Sequence, residues 1–368
     1  MNIGSILDRL TTPGELYEKQ ADESVRCFAC GHRCLIRSGK RGICQVRFNE
    51  GGELRVPFGY VAALQSDPIE KKPFSHVLPG SNALTFGMLG CDFHCGYCQN
   101  WFTSQAMRDP QSDESVSLVR RISPAQMTEI ALKANASVMV SSYNEPLITS
   151  EWAAAIFKEA KAAGLKCAYV SNGNNTPEVM EYLHPYLDAY KVDLKCMSDK
   201  SYRSLGGVLQ NTLDGIQRAR DMGLWVEVVT LVVPGFNDSN EELWDAARFL
   251  AGLSPDIPWH VTAFHQDYKM TDPANTDART LQRAADIGRE AGLHFVYAGN
   301  LPGRVGEYED TVCPSCNEAL IRRRGYIVRE YRISAEGACP KCGQKVPGIW
   351  SNMPHDVNVN GHGFPIAL

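Results

Sequence analysis

The chain lacks any run of about 18 consecutive apolar residues, so nothing in it reads as a membrane-spanning helix. It has no basic excess. Its 37 Lys and Arg stand against 42 Asp and Glu, and the formal net charge of −5 argues against a general nucleic-acid binder. It shows no internal repeat and no low-complexity segment. The opening Met1–Asp8 has neither a basic n-region nor an apolar h-region, so no secretory signal is read there and the cytoplasm is the expected compartment. Hydrophobic content of 44% and charged content of 21% are ordinary, and 368 residues can bury a large core.

What the chain has in quantity is cysteine, 13 residues in short C-x2-C and C-x3-C steps. Clusters of this kind in a chain without a signal read as metal ligands rather than a disulfide framework. Cys27, Cys30, Cys34 and Cys44 form one group, Cys91, Cys95 and Cys98 a second, and Cys313, Cys316, Cys339 and Cys342 a third. Cys167 and Cys196 lie in or just after apolar runs and read as plain buried thiols.

The central triplet decides the chemistry. Three thiolates in C-x3-C-x2-C hold three corners of a [4Fe–4S] cubane and leave one iron open, whereas a structural site is closed by four ligands. Half of a zinc site is the competing reading. The triplet follows Ala83–Leu89, a short apolar run expected to be a buried strand, and catalytic loops of βα barrels leave the C-terminal ends of such strands.

Seven β-rich runs, Leu84–Leu89, Ser137–Ser142, Lys166–Ser171, Ala189–Leu194, Trp225–Val233, His260–Phe264 and Phe295–Ala298, are separated mostly by helical segments. Ser123-Pro124 and Ser150 are expected N-caps, with further helices near 176–183, 211–222, 240–251 and 277–291. Such alternation predicts an α/β fold with a parallel sheet, an open or closed βα barrel ahead of a doubly wound sheet. Residues 1–26 are expected to be a helical lead-in, followed by a small metal-tied module and a hairpin from Glu53 to Ala63. The expected division is a cysteine-rich module over 1–80, a barrel over 81–306, and a zinc-ribbon-like module with tail over 307–368.

Polar segments at strand ends are candidate site residues. These are Ser142-Tyr143-Asn144-Glu145-Pro146, then Ser171-Asn172-Gly173, then Asp193-Leu194-Lys195, with His265 after the sixth run. Asp193 and Lys195 alternate along a strand and so share a face. The plain alternatives are a capping turn at Asn144-Glu145-Pro146, a structural ion pair at Asp193/Lys195 and a satisfied polar residue at His260.

The C-x3-C-x2-C spacing, with Tyr97 before the last cysteine, resembles the signature of radical S-adenosylmethionine (SAM) enzymes. The core over about 80–303 is similar to the activating enzymes of pyruvate formate-lyase. The shared features are the triplet, Asn144-Glu145-Pro146, Asp193-Leu194-Lys195 and Val233-Pro234-Gly235-Phe236-Asn237-Asp238. Over nearly its whole length the chain resembles the AmmeMemoRadiSam system radical SAM enzymes. That likeness is carried by Cys27-x2-Cys30-Gly31-His32-Arg33-Cys34, Gly39–Cys44, Asp67–Phe74, Cys98-Gln99-Asn100-Trp101, Phe264–Met270 and Gly299–Gly303.

The resemblance implies a partial (β/α)6-type TIM barrel and a [4Fe–4S] cluster on Cys91, Cys95 and Cys98. SAM contacts would fall on Tyr97, Asn144, Glu145, Ser171, Asn172, Asp193, Lys195 and His265, with Glu145 as acceptor for the SAM ammonium. It implies an oxidoreductase that cleaves SAM to a 5′-deoxyadenosyl radical and abstracts hydrogen from a protein or peptide. The alternatives are a small molecule or cofactor precursor as substrate, and a non-enzymatic multi-zinc scaffold. The expected electron source is a low-potential donor of flavodoxin or ferredoxin type.

The two C-x2-C knuckles at Cys313/Cys316 and Cys339/Cys342, joined by the β-rich stretch Ile321–Ile333, match a zinc ribbon. Cys27, Cys30, Cys34 and Cys44 suit zinc or an auxiliary iron–sulfur cluster.

Overall fold

The computed structural model describes residues 3–368. The apolar runs form seven parallel strands, β1 Asn82–Gly87, β2 Ala136–Ser141, β3 Lys166–Ser171, β4 Ala189–Asp193, β5 Trp225–Val232, β6 Trp259–Ala263 and β7 Val296–Gly299. They pair in sequence order, with Val140 opposite Thr85, Val170 opposite Lys191, Val229 opposite His260 and His260 opposite Tyr297. The sheet is open. β7 ends it on one side, and on the other the strand Ala63–Pro68 runs antiparallel to β1.

Helices α1 Pro124–Lys133, α2 Ser150–Ala162, α3 Pro177–Leu183, α4 Leu209–Asp221, α5 Asn240–Leu253 and α6 Ala278–Glu290 follow β1 to β6. Their apolar sides pack on one face of the sheet, in a core that includes Phe86, Met139, Tyr169, Val192, Val228 and Trp259. The other face encloses a second core of Ile69, Phe74 and Val77 against Ala83, Val138 and Ala189. A doubly wound sheet would carry helices on both faces. Here one face is helical and the other is lined inward, as in a partial barrel.

Helix α1 starts as its sequence predicts. Ser123 caps it, Pro124 occupies the first turn, and Gln126 completes a capping box. Ser150 is a correction. It is the first helical residue of α2, and Thr149 holds the cap position without a side-chain bond.

The helical lead-in over 1–26 is a second correction. Within the described residues only Ile3–Asp8 is helical; Thr11–Pro13, Tyr17–Lys19 and Val25–Cys27 are strands. Pro13 and Gly14 break the helix locally. Thr11–Pro13 pairs with Arg55–Pro57, a partner about 44 positions away that no local periodicity shows. The expected hairpin from Glu53 to Ala63 is displaced. Phe48–Glu50 pairs with Glu53–Pro57 around Gly51 and Gly52, both at positive φ, while Tyr60–Val61 pairs with Arg120–Arg121.

Both cysteine-rich ends dock on the barrel. The N-terminal part is tied by Arg47, whose guanidinium grips Glu151 of α2 at 2.7 and 2.8 Å; all of these atoms are buried. The C-terminal part contains the antiparallel pair Ala319–Arg324 and Ile327–Tyr331. Leu320, Ile321 and Val328 pack on Phe295 and Tyr297 beside β7. Ile349 pairs with Val77, and Ile366–Ala367 adds to the free edge of Ala63–Pro68. The C-terminal segment therefore touches both ends of the open sheet and covers the gap between them. Among the described residues no helix is long and apolar enough to cross a membrane.

Candidate active site

The run Gly90–Cys98 leaves the C-terminal end of β1 and lies across the barrel mouth. Gly90, at φ +95°, turns the chain where a Cβ would meet Val46 at 2.8 Å. Beneath it is a cavity of about 370 Å³. The cavity is lined by Cys95, Tyr97, Cys98, Asp193 and Lys195 together with Glu70, Lys71, Lys72 and Arg323.

Burial pushes the Cys91 thiol well up, and Asp92 and Glu145 add to the shift. Burial pushes the Cys95 thiol up to about 12 and raises Cys98 as well. Three half-buried or buried thiols of this kind become thiolates when a metal neutralises them. Cys91, Cys95 and Cys98 are not drawn together as the ligands of a single metal ion would be. Among the described residues only the C-terminal quartet brings three or more ligand atoms within 4.8 Å of one another, whereas thiolates on a cubane each bind a different iron and stand farther apart. The residues present fit a cluster held by three cysteines.

Asp193 lies between two lysines. Lys191 bonds its Oδ1 and Lys195 Nζ lies 3.3 Å from its Oδ2. Burial would raise the Asp193 carboxyl, but the two ammonium groups hold it down at about 2. The triad carries one net positive charge and projects from residues i, i+2 and i+4, one face of an extended segment. The strand itself stops at Asp193. Lys191 was hidden from sequence reasoning inside an apolar run; its signal is the same alternation that marked Asp193 and Lys195.

Other expected contacts are bonded to one another. Glu145 accepts from the Ser171 hydroxyl at 2.7 Å, the Asn172 N–H at 2.7 Å and the Leu147 N–H at 3.1 Å. Burial and the nearby Asp92 push its carboxyl up to about 8. Asn144 accepts from the Met88 N–H and donates to the Glu145 carbonyl. Asn172 Nδ2 donates to Asp92 at 2.7 Å. These residues fasten the ends of β1, β2 and β3 together. His265 is exposed and reaches only the Gln266 carbonyl.

Glu70, Lys71 and Lys72 belong to Asp67–Phe74, one of the runs that carry the family resemblance, and Arg323 to none of them. Lys72 is buried, 2.6 Å from Asp67, and lies over the Tyr143 ring at 4.3 Å from its centroid. Burial lowers its ammonium to about 8, against the pull of Asp67. Tyr143 holds a left-handed φ of +68° and donates to Asp67 at 2.7 Å, a strained residue of the kind found at functional sites. Arg323 reaches in from the C-terminal segment, donating to the Ser75 carbonyl and Thr311 hydroxyl at 2.8 Å. Its Nε makes no hydrogen bond but lies 3.9 Å from Glu70 Oε1, and Glu70 Oε2 is buried without a hydrogen bond. His260 also lines the cavity but bonds Glu227 at 2.7 Å, the satisfied histidine that its bland reading anticipated.

At the C-terminal quartet the Sγ atoms of Cys313 and Cys342 lie 3.6 Å apart and those of Cys316 and Cys339 3.7 Å apart. Backbone N–H groups of Cys342 and Lys341 hold the Cys339 thiol down at about 7 against the cost of burial. The quartet could hold a metal ion. Cys167 and Cys196 are buried.

Comparison with known proteins agrees with this geometry. Residues 86–250 match the radical SAM superfamily. The chain belongs to that superfamily. An uncharacterized protein of Methanocaldococcus jannaschii is 34% identical over 333 residues, spanning 90% of this chain and 97% of its own. The pyruvate formate-lyase-activating enzyme of Staphylococcus aureus is 26% identical over 198 residues, 51% of this chain and 76% of that enzyme. Among solved structures, a domain of pyruvate-formate lyase-activating enzyme from Bacteroides vulgatus aligns with a TM-score of 0.39 at 21% identity, over 44% of this chain and 98% of that domain. Superfamily membership implies an enzyme that uses SAM and a [4Fe–4S] cluster.

Proposed function

We propose that this radical SAM enzyme cleaves SAM reductively and removes a hydrogen atom from a protein or peptide, as an activase-like oxidoreductase of the AmmeMemoRadiSam type. The observation that carries the reading is that Cys95 and Cys98 open into the same cavity as Asp193 and Lys195. When bound, an open-iron cluster with SAM supplies one-electron cleavage of the sulfonium C–S bond and a 5′-deoxyadenosyl radical. The chain itself binds, orients and excludes water.

Lys191 and Lys195 offer charged donors to a carboxylate, and Asp193 offers an acceptor to an ammonium or ribose hydroxyl. Ile69, Phe74 and Val77 form a buried apolar core against Ala83, Val138 and Ala189. No general acid–base pair is required. A flavodoxin- or ferredoxin-type carrier supplies the electron, zinc occupies the C-terminal quartet, and a reducing cytoplasm suits 13 free thiols.

One observation favours a small polar molecule as the alternative substrate. The open flank of the barrel is covered by the C-terminal segment, and Arg323 from that segment forms part of the cavity wall. Reconstituted protein with dithionite and SAM is expected to release 5′-deoxyadenosine, and Cys91→Ala/Cys95→Ala/Cys98→Ala is expected to release none. Turnover persisting in the triple variant refutes the assignment. Mass spectrometry of cell extract treated with enzyme and SAM separates the substrates by whether a polypeptide or a small molecule changes mass.

A further inference from the structure

The two cysteine quartets differ in how tightly their sulfurs are drawn together. Zinc holds each sulfur at about 2.3 Å, so sulfurs on the corners of one tetrahedron lie about 3.8 Å apart. The C-terminal quartet meets that requirement, with contacts of 3.6 and 3.7 Å and all four Sγ atoms within 4.8 Å. Among the described residues, no three Sγ atoms of Cys27, Cys30, Cys34 and Cys44 come within 4.8 Å of one another. In this the N-terminal quartet behaves like Cys91, Cys95 and Cys98, the triplet whose thiolates bind separate irons.

The backbone nonetheless brings the N-terminal cysteines into one folded unit. The Cys27 N–H donates to the Cys34 carbonyl at 3.0 Å and the Arg33 N–H to the Cys30 carbonyl at 3.0 Å, which folds the Cys30–Cys34 turn back onto Cys27. Three of the four are buried and Cys34 is half-buried. The Ile43 N–H points at Cys34 Sγ at 3.5 Å, the kind of bond that tunes cluster sulfurs.

The centre is held rigidly against the radical SAM site. Gly31, inside the Cys30–Cys34 turn, donates to the Asn174 carbonyl at 2.8 Å, and a Cβ there would meet Asn174 Oδ1 at 2.2 Å. His32 Nε2 lies 3.9 Å from Asp92 Oδ2, and Asp92 Oδ1 lies 3.8 Å from Cys91 Sγ. The buried Asp92 carboxylate thus neighbours both centres.

We propose that Cys27, Cys30, Cys34 and Cys44 hold a second [4Fe–4S] cluster, closed by four thiolates, and that it passes single electrons past Asp92 to the Cys91–Cys95–Cys98 centre. A reduced low-potential carrier is oxidised by one electron, the closed cluster is reduced and then reoxidised, and the open cluster is reduced. The presence of the second cluster is independent of the radical SAM reading; the electron route rests on it.

Iron and zinc are counted on anaerobically reconstituted full-length protein. The wild type is expected to carry about eight irons and about one zinc. The Cys91→Ala/Cys95→Ala/Cys98→Ala variant is expected to keep about four irons. Cys30→Ser/Cys34→Ser is expected to lose about four irons and keep zinc, and Cys316→Ser/Cys342→Ser to lose zinc and keep iron. Wild-type protein with about four irons and two zincs overturns the proposal without any variant having to fold. A wild type with only about four irons, none of which is lost in the triple variant, instead overturns the radical SAM reading and leaves the second cluster standing. In the reduced wild type the EPR signals of two neighbouring clusters are expected to broaden each other; eight irons with two unbroadened signals overturn the electron route.

Discussion

Replacing Arg47 by methionine tests how the N-terminal segment is fixed to the barrel. Arg47 and Glu151 have side chains only 1% and 2% exposed, and the guanidinium makes two bonds to the carboxylate and a third to the Ile148 carbonyl. Glu151 Oε1 also accepts from the backbone N–H groups of Glu15 and Leu16 at 3.2 and 3.4 Å. Arg47→Met leaves a buried carboxylate without its cation, which costs about 3–5 kcal/mol. Arg47→Met/Glu151→Gln removes both charges and keeps an acceptor for the two N–H groups, so it is expected to recover most of that loss.

The sign with pH follows from the same pair. In the wild type Arg47 overcomes burial and holds Glu151 below its ordinary value, so the pair stabilises above about pH 4.3 and is lost as pH falls through the lower folded pKa. In Arg47→Met burial raises the carboxyl, opposed only by the remaining backbone N–H bonds. The deficit of the variant is therefore largest at pH 7 and shrinks toward pH 5. Urea titrations under argon at both pH values, on the two variants and wild type, give the free energies. A single-variant loss under about 1 kcal/mol, or a loss unchanged by pH, refutes the reasoning.

Gly215 lies inside α4, where alanine ordinarily gains about 1 kcal/mol of helix stability. Its Cβ would meet the Gly173 carbonyl oxygen at 2.2 Å, and overpacking against backbone costs about 1–3 kcal/mol, so Gly215→Ala is expected to destabilise in urea titration; a stabilised variant refutes the close approach. Asp193→Asn leaves Lys191 and Lys195 facing each other without their counter-charge. SAM affinity of the reconstituted protein, read by equilibrium dialysis, is expected to fall about tenfold, about 1.4 kcal/mol, and an unchanged affinity removes the triad from the site. Because Asp193 is held at about 2, the stability it contributes is present above about pH 3.9 and disappears only as pH falls toward 2.

The barrel strands were legible because each is a short β-rich run closed by polar or turn residues. The expected Lys166–Ser171 coincides with β3, and the others differ by one or two residues at an end. The lead-in was not legible, because Leu7 and Leu10 carry a helical spacing while the strands after them depend on partners such as Arg55–Pro57. The triplet and the Asp193/Lys195 face were legible from spacing alone. The role of Glu145 was not: a carboxylate at a strand end looks available until its bonds to Ser171, Asn172 and Leu147 are counted. Arg323 could not be placed, since only the folded chain brings it beside Glu70, some 250 positions earlier.

That convergence divides the cavity into two halves of different origin. The triplet, Asp193 and Lys195 lie within residues 86–250, the stretch that matches the superfamily. Glu70, Lys71 and Lys72 precede that stretch, and Glu309, Arg323 and Tyr326 follow it, yet all six line the same cavity. The shared stretch thus supplies the part of the lining that carries the cysteines. The six flanking residues come from segments outside it, with a buried lysine, a buried arginine and a Glu70 oxygen without a hydrogen bond in place of an open flank. A group entering the cavity meets polar side chains from these flanking segments. Lys72, Glu70 and Arg323 therefore line the cavity from outside the stretch that matches the superfamily.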